Sequence, residues 1–336
     1  MRKLSFILSG ILMLVSVSLF GCSNTSDTIK VNEVTRSIFY APMYVALNKG
    51  YFENEGVKVS ISTGFGADKS MTAILSGNAD IGLMGPEAAI YTAIGGTSDQ
   101  PKIFGQLTKR DGSFLVSKKQ EPNFKWSDLK GKEVLAGRKG GVPAMTLQYA
   151  IEQNGVVLGD GTNDTCKFNT SVEFGAMVGA FDGGVGDYCT MFEPSASDFV
   201  EAGKGYIVAS VGEASGEVPY TAFMAKESYL INNSAKCEKF LRAVVKGYRF
   251  LTTATSDEIY NALLPSFSTS SKASIIQSIK SYVKCDAWMT SPVMLESSYA
   301  RLLTIMNNVT PLEKEIPFSK VVDNTLAKKV IRDLNS

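Results

Sequence analysis

The chain of 336 residues carries 34 lysines and arginines against 33 aspartates and glutamates, and this near-neutral balance offers no basic footprint for nucleic acid. Hydrophobic residues make up 44% of the chain and charged residues 20%, which excludes a disordered polymer and suffices for two domain cores. Histidine is absent, and its absence excludes Ser/His/Asp and Cys/His triads, histidine-ligated zinc and any histidine acid–base step.

The first segment has the pattern of a secretory signal. Arg2 and Lys3 precede an uncharged apolar run, and a small residue, Gly21, stands directly before Cys22. The Gly-Cys junction resembles a bacterial lipoprotein box, so we predict a signal peptide at 1–21, lipidation of Cys22 and a polar tether at 22–29. A plain transmembrane anchor is the alternative, although a run of about 17 residues is short for spanning a bilayer.

Beyond the tether, strand patterns alternate with helix patterns. This alternation predicts an α/β fold with parallel strand pairs. The pattern restarts near residue 109, which favours two units. The predicted strands are 30–34, 57–62, 79–84, 102–107, 113–117, 132–136, 188–192, 206–211 and 221–225, and 167–174 is predicted to be extended. The predicted helices include 43–48, 69–75 and 143–154, and three amphipathic sets follow at 237–254, 275–283 and 295–306.

Four cysteines follow the signal segment: Cys166, Cys189, Cys237 and Cys285. Four cysteines allow three pairings, and an oxidising compartment permits bridges. If bridges form, the sequence neighbours pair, which gives Cys166–Cys189 and Cys237–Cys285. Buried free thiols are the equal alternative. The spacings match no zinc module, so no metal and no cofactor are predicted.

Three segments carry a resemblance to a known family. Residues 47–57 read LNKGYFENEGV, residues 73–82 read AILSGNADIG, and residues 192–196 read FEPSA. They resemble conserved-looking segments of the solute-binding proteins that serve ABC transporters for nitrate, sulfonates, taurine and thiamine pyrimidine precursors. Phe192 stands where that family has tryptophan. The similarity is spread from Val31 to Leu303.

The resemblance implies a two-lobed fold of the periplasmic-binding-protein type II class, in which each lobe is a mixed sheet flanked by helices. Lobe 1 would comprise 30–110 and 220–336, lobe 2 would comprise 111–219, and two hinge crossings would lie near 108–114 and 217–223. The implied partners are a small-molecule solute, an ABC permease and its ATPase, and a membrane reached through the lipid anchor. The protein would be a monomer on the extracytoplasmic face of the cell membrane, without nucleic acid.

Ligands of open α/β sheets lie beyond the carboxyl ends of the strands, where five loops of this chain offer candidate contacts. The first loop offers aromatic faces, the next three offer glycines and charges at helix starts, and the last offers a carboxylate. In chain order the ligand-binding candidates are Phe39, Tyr40, Tyr44, Gly66, Lys69, Gly85, Glu87, Arg138, Gly141 and Glu193.

Each candidate has a structural alternative. Two of the three aromatic side chains would be core residues, Glu87 would only favour a helix start, and Arg138 would be a solvated cation. Glu193 would pair with an arginine in the cleft. The turn at Gly141 also lacks the Ser/Thr pair that sulfonate-binding relatives use, which argues against a tightly held anion.

The aromatic first loop and Glu193 together predict a small planar nitrogen-containing solute, first a thiamine pyrimidine precursor and second a flavin-like ring. A sulfonate, nitrate or taurine binder is the alternative, and a ligand-loaded sensor is another. An enzyme is disfavoured. The resemblance extends to a fungal branch that makes the pyrimidine from its own histidine, and this chain has none.

Overall fold

The computed structural model describes residues 28–336, which form two mixed β-sheets with helices packed on their faces. This architecture confirms the predicted α/β class. The predicted signal peptide, Cys22 and residues 22–27 of the tether lie outside the described residues. The last two tether residues do not belong to a tether, because the first strand already begins at Thr28.

Five strands form the first sheet. They are β1 (Thr28–Glu33), β2 (Lys58–Thr63), β3 (Ile81–Met84), β4 (Pro101–Thr108) and β11 (Thr221–Lys226). Their order is β2-β1-β3-β11-β4, in which β1 runs parallel to β2 and β3 whereas β11 is antiparallel to both of its neighbours. The carboxyl ends of β1, β2 and β3 therefore meet at one edge of this sheet.

Six strands form the second sheet. They are β5 (Ser113–Ser117), β6 (Glu133–Leu135), β7 (Val157–Gly159), β8 (Thr165–Asn169), β9 (Tyr188–Phe192) and β10 (Tyr206–Ser210). Their order is β10-β5-β9-β6-β8-β7, with β6, β8 and β7 parallel to one another and β9 parallel to β6. Here the carboxyl ends of β6, β8 and β9 share one edge.

Fifteen α-helices cover the two sheets in the part of the chain that the structure describes. In the first two thirds they are α1 (Ala41–Asn48), α2 (Tyr51–Asn54), α3 (Ala67–Leu75), α4 (Glu87–Ile94), α5 (Val142–Gln153), α6 (Met177–Asp182), α7 (Ser195–Glu201) and α8 (Val211–Ser215). In the remainder they are α9 (Glu227–Asn232), α10 (Ser234–Thr253), α11 (Ser256–Leu263), α12 (Lys272–Lys284), α13 (Glu296–Val309), α14 (Phe318–Val321) and α15 (Thr325–Asn335). Short 3₁₀ turns lie at Ile38–Tyr40, Trp126–Leu129, Phe174–Ala176 and Leu264–Ser266.

The chain passes between the sheets twice, and the two crossing segments run side by side. The first lies between β4 and β5, and the second lies between α8 and β11. The backbone N–H of Val218 donates to the carbonyl of Lys109 at 2.8 Å, and that of Tyr220 donates to the carbonyl of Thr108 at 3.2 Å. These hydrogen bonds hold the two crossing segments side by side.

The helices that follow β11 also pack against helices beside the second sheet, and not only against those beside the first sheet. Helix α12 packs against α7, where Ser270 and Ser274 donate hydroxyl hydrogen bonds to Asp198, the first at 2.8 Å. Helix α13 packs against α5, and Arg301 donates to the carbonyl of Ser215 at 2.8 Å. The segment 220–336 is therefore a third bridge between the two halves.

Helices α1 and α10 pack closely against each other. Gly247 of α10 faces the carbonyl of Pro42 in α1, and a Cβ at Gly247 would lie 2.0 Å from that oxygen. Only glycine allows the two helices to approach this closely, since any side chain would push them apart.

The four cysteines of the described segment are free and buried. Neither candidate bridge, Cys166–Cys189 or Cys237–Cys285, forms in the structure. Burial raises the pKa of each thiol, to about 12. They behave as small apolar core residues.

Within residues 28–336, the helices are all too short or too polar to cross a membrane. The same residues contain no group of three or more His, Cys, Asp or Glu side chains arranged to hold a metal ion.

Candidate functional site

The carboxyl ends of parallel strands from both sheets open onto one shared cleft. It encloses about 520 Å³ of empty space, part of which is open to solvent. Its walls are Val34, Thr35, Tyr40, Gly66, Ala67, Gly85, Glu87, Arg138, Gly141, Val142, Pro143, Phe174, Phe192, Tyr220 and Thr221. Both halves of the molecule thus contribute, as the strand-end rule for open α/β sheets requires.

Three helices point their N-termini at this cleft because each follows a strand through a short glycine-containing loop. Gly66 precedes α3, Gly85 lies just before α4, and Gly141 precedes α5. At Gly85 a Cβ would lie 1.9 Å from a carboxylate oxygen of Glu87, so the side chain of Glu87 folds back over the glycine. The loop sequence therefore sets where the Glu87 carboxylate lies.

Glu87 is the most unusual polar group of the cleft. Its side chain is only 1% exposed, and its Oε1 accepts one long hydrogen bond of 3.4 Å from the backbone N–H of Val142. Its Oε2 is buried and has no partner within residues 28–336. Burial raises the pKa of Glu87 to about 7, while the N–H of Val142 and the charge of Arg138 oppose the rise. A buried carboxyl oxygen without a partner is costly unless something else supplies a donor.

Aromatic rings form the other walls. Phe192 lies 5.9 Å from Phe174 and 6.3 Å from Tyr220, measured between ring centroids. Tyr40, on the first-sheet loop, is buried and also lines the cleft. The hydroxyl of Tyr220 is buried beside the carboxyl of Asp111. The cleft therefore combines flat apolar faces with one carboxyl oxygen, Glu87 Oε2, that has no hydrogen-bond partner within residues 28–336.

Ion pairs join the two rims at the mouth of the cleft. Arg138 Nε lies 3.3 Å from Asp68 Oδ1, which connects the loop after β6 with the start of α3. Lys69 Nζ lies 3.6 Å from Glu173 Oε2. Beside them Phe65, which has a positive φ of 58° and is 53% exposed, lies against Gly175. The mouth is thus polar and partly exposed, in contrast to the buried inner part of the cleft, which we call its floor.

A buried carboxyl on the first crossing supports the floor. Asp111 accepts a hydrogen bond from the backbone N–H of Ser113 at 2.6 Å and another from the hydroxyl of Thr146 on α5. Burial raises the pKa of Asp111 to about 6, whereas the bonds from Thr146 and Ser113 lower it. Burial raises the pKa of Tyr220, and the charge of Asp111 and its hydrogen bond with Tyr220 raise that pKa further, so the two groups are neighbours. Asp111 thereby links both crossings to α5.

Six of the ten candidates from the sequence line the cleft: Tyr40, Gly66, Gly85, Glu87, Arg138 and Gly141. The other four lie elsewhere. Lys69 is at the rim, where it pairs with Glu173 outside the cleft lining. Phe39, Tyr44 and Glu193 are buried in the interior.

The expectation that Phe39 and Tyr44 face a ligand needs correction. The ring of Phe39 packs against Gly112, where a Cβ would lie 2.5 Å from the ring, and its centroid is 5.0 Å from that of Tyr282. Tyr44 donates its hydroxyl hydrogen bond to the buried carboxylate of Glu33. Both aromatic side chains are fully occupied by core contacts, as the structural alternative for this loop proposed.

Glu193 lines a neighbouring pocket rather than this cleft, and no arginine within residues 28–336 forms an ion pair with it. Its carboxylate accepts hydrogen bonds from the backbone N–H of Ser197 at 2.8 Å and from the Ser197 hydroxyl at 2.9 Å. Its carbonyl accepts from the N–H of Ile38 at 3.1 Å. Glu193 therefore stabilises the start of α7 and joins the two strand-end loops behind the cleft.

Sequence reasoning missed two of the aromatic walls. Phe174 lies beyond β8, but the predicted extended segment 167–174 included it, so the strand-end rule did not mark it as a loop residue. Tyr220 lies on the return crossing, which the sequence marked only as a hinge. Tyrosine beside a crossing has no local signal that separates a ligand contact from a core residue.

Two mixed sheets, joined by paired crossings and facing one cleft with their strand ends, form the fold of the periplasmic-type solute-binding proteins. Comparison with known proteins agrees with this class. The chain belongs to the NMT1/THI5-like family, whose model matches residues 38–255.

Individual relatives extend the comparison. The chain is 40% identical over 306 residues to YtlA of Bacillus subtilis (strain 168), which is named as a candidate binding protein, and the match covers 91% of this chain and 90% of YtlA. It is 28% identical over 152 residues to 4-amino-5-hydroxymethyl-2-methylpyrimidine phosphate synthase of Schizosaccharomyces pombe, covering 45% of this chain and 42% of the synthase. The nitrate-binding protein NrtA of Synechocystis PCC 6803 shares the fold, with a TM-score of 0.74, 17% identity and coverage of 92% and 89%.

Proposed function

We propose that this protein is the membrane-anchored extracytoplasmic solute-binding component of an ABC importer, and that it captures a small planar nitrogen-containing solute resembling a thiamine pyrimidine precursor. The observation that carries the choice of solute is the buried, unpartnered Oε2 of Glu87 between aromatic walls. A ring amine or ring N–H that donates to this oxygen would complete its hydrogen bonding.

The shape of the cleft supports a flat solute. Tyr40, Phe192 and Tyr220 offer faces to which a planar ring can stack. A relative over less than half of the chain is named for the synthesis of a phosphorylated aminopyrimidine. That name supports the same class of ring as the solute here.

The charges of the cleft favour this solute over an anion. Arg138 is the one cation that lines the cleft in the described part of the chain, and Asp68 already pairs with it. Glu87 contributes a carboxyl group to the lining itself. A nitrate or sulfonate would therefore find no unpaired positive charge in the cleft lining, whereas an amine donor would find Oε2 of Glu87 as a hydrogen-bond acceptor.

Capture would follow from motion of the two halves. We assign lobe 1 to 30–110 and 220–336 and lobe 2 to 111–219, with the crossings at 109–112 and 216–220 acting as hinges. Closing of the lobes over the solute would exclude water, and a permease would recognise the closed shape. A wrong solute would leave buried polar atoms unpaired, which is the source of selectivity.

The N-terminal segment would supply the anchor. Lipidation of Cys22 after removal of 1–21 would hold the receptor at the membrane and raise its concentration near the permease and ATPase. A Cys22→Ala variant should appear in the soluble extracytoplasmic fraction, whereas the native chain should sediment with membranes. Equal sedimentation of both would contradict the anchor.

Two other functions have specific support. The shared fold of NrtA, named as a nitrate-binding protein, keeps an anion binder as the alternative. A ligand-loaded sensor would use the same cleft, and loss of uptake on deletion would separate transport from sensing. The synthase activity named for the Schizosaccharomyces pombe relative is disfavoured. The family resemblance implies that such a synthase consumes a histidine of its own chain, and this chain has no histidine.

Calorimetric titration tests the solute class. The panel contains 4-amino-5-hydroxymethyl-2-methylpyrimidine, riboflavin, nitrate, taurine and methanesulfonate, each titrated into protein that has been unfolded and refolded to remove copurified ligand. We expect the pyrimidine to bind most tightly. A sulfonate or nitrate that binds while the pyrimidine is inert would overturn the proposal.

A further inference from the structure

The cleft contains groups that usually bind an anion. At each of these groups, however, a carboxyl side chain of the protein itself lies where the anion would bind. These groups are one arginine and the N-termini of helices that face the cleft. Helix N-termini attract negative charge because their first N–H groups lack intrahelical partners. Here Asp68 supplies a charged carboxylate, and Glu87 supplies a buried carboxyl group whose pKa burial raises to about 7, so that it is fully charged only above that pH.

Asp68 occupies the first-sheet rim. It lies in the first turn of α3, a helix of 9 residues, and its Oδ1 would lie 2.6 Å from a Cβ built at Gly66. The carboxylate is therefore folded over the glycine that exposes the helix start. The same Oδ1 lies 3.3 Å from Arg138 Nε across the mouth. One aspartate thus covers both the helix N-terminus and the arginine.

Glu87 occupies the second position. It is the first residue of α4, and its Oε1 accepts from the N–H of Val142 at the start of α5, a helix of 12 residues. The backbone N–H groups of Glu87 and Ala88 also lower the pKa of this carboxyl, so it lies between two helix N-termini. Its other oxygen remains without a partner and lines the cleft.

We propose that Asp68 and Glu87 are specificity determinants that exclude anionic solutes from this cleft and restrict it to neutral or cationic solutes that donate hydrogen bonds. This inference rests on the proposed solute-binding function and adds the charge class of the solute. An anion would have to displace Asp68 from Arg138 and approach the Glu87 carboxyl. Repulsion between like charges of this kind is how a site rejects a competing ligand.

The Asp68–Arg138 pair offers a clean test, because Asp68→Asn keeps the size of the side chain and its ability to accept a hydrogen bond at the helix start. It removes only the charge that neutralises Arg138. Glu173→Gln is the matched control: it removes one negative charge from the same rim, from the pair with Lys69, and neither partner lines the cleft. Glu87→Gln tests the buried carboxyl separately.

Nitrate and methanesulfonate serve as probes in calorimetry at low ionic strength. We expect no saturable binding to the native protein at millimolar concentration, an affinity gain of about tenfold or more in Asp68→Asn, and a further gain when Glu87→Gln is added. Glu173→Gln should remain like the native protein. Thermal unfolding of each variant verifies that it is folded.

Three outcomes would overturn the inference. Tight binding of either anion to the native protein would show that the carboxylates do not exclude it. An equal gain in Asp68→Asn and Glu173→Gln would assign the effect to net charge, and no gain in any variant would remove the specificity role. Because both probes are anions, these results do not depend on pyrimidine binding: an inert pyrimidine together with an anion gain in Asp68→Asn would contradict only the proposed solute.

Discussion

Glu87 and Glu193 stand at equivalent places in the two halves, each just after a strand that ends near the cleft. Both are essentially without solvent exposure. Glu193 receives two short hydrogen bonds from Ser197, whereas Glu87 receives one long bond and keeps one oxygen without a partner in residues 28–336. Burial alone therefore does not mark a ligand contact; an incomplete set of partners does.

The largest difference that we expect between the two carboxyl groups is in how much their removal lowers the free energy of unfolding of the protein. Replacing Glu193 with alanine should lower the free energy of unfolding by about 2–4 kcal/mol, because the N–H and hydroxyl of Ser197 lose their acceptor in the interior. Glu87→Ala removes the same atoms but only one weak bond, so near about pH 5, where this carboxyl is protonated in the folded state, its change should stay within about 1 kcal/mol. Urea denaturation of both variants measures the difference, and equal losses would contradict the distinction.

Solute binding should show the reverse order. Glu87→Gln should weaken binding of 4-amino-5-hydroxymethyl-2-methylpyrimidine by about 10- to 100-fold, since a charge-assisted hydrogen bond contributes about 1.5–3 kcal/mol. Calorimetry measures the change, with Glu173→Gln at the rim as the control that keeps native affinity. Unchanged affinity in Glu87→Gln would mean that Oε2 does not contact the solute.

The pH dependence of stability sharpens the assignment of Glu87. Its pKa is raised to about 7 in the folded state and returns to its ordinary value on unfolding. The folded protein therefore holds a proton that the unfolded chain has already lost, so stability is complete at low pH and falls as pH rises toward 7. At its steepest this fall is about 1.4 kcal/mol per pH unit for one group.

Glu87→Gln should flatten that fall, and denaturation at several pH values between 5 and 8 measures it. Glu33, with a pKa raised to about 7 by burial, and Asp111, raised to about 6, act in the same direction and remain in the variant. The native and variant curves must therefore converge at low pH and separate at high pH. Parallel curves would contradict the prediction.

The smallest effect belongs to the exposed rim. Lys69→Ala breaks the pair with Glu173, and both side chains are at least half exposed, so the free energy of unfolding should change by less than about 0.5 kcal/mol. A loss well above that value, measured by urea denaturation, would show that the rim contributes to stability as the floor does.

Local pattern was sufficient for most of the fold. The alternation of strand and helix patterns predicted an α/β fold in two units, because apolar periodicity and glycine at helix ends are local properties. The mixed character of the sheets was implied only by the family resemblance. Short strands such as Val157–Gly159, with two of three residues exposed, carry too little apolar signal and were missed. The start of β1 at Thr28 was missed for a similar reason, since the preceding residues are small and polar.

The site was predictable as a set of loops and less so as a set of side chains. Glycines before helix starts drew attention to Gly66, Gly85 and Gly141, and the structure places all three in the lining of the cleft. Phe39 and Tyr40 are adjacent in sequence, yet one packs on Gly112 in the core and the other lines the cleft. No local pattern separates two neighbouring aromatic residues in one turn, because the partners that divide them come from the crossings.

The amino-acid sequence by itself determined the α/β class, the strand-end loops and the absence of histidine chemistry, since each depends on residue type and short-range spacing. Only the tertiary structure decided which carboxylate is satisfied and which is open. Glu87 meets Val142 across 55 positions of chain, and Arg138 meets Asp68 across the mouth between the two sheets. Such contacts depend on how two separately folded sheets face each other, and that orientation is set by packing at the crossings and by the helices that bridge both halves.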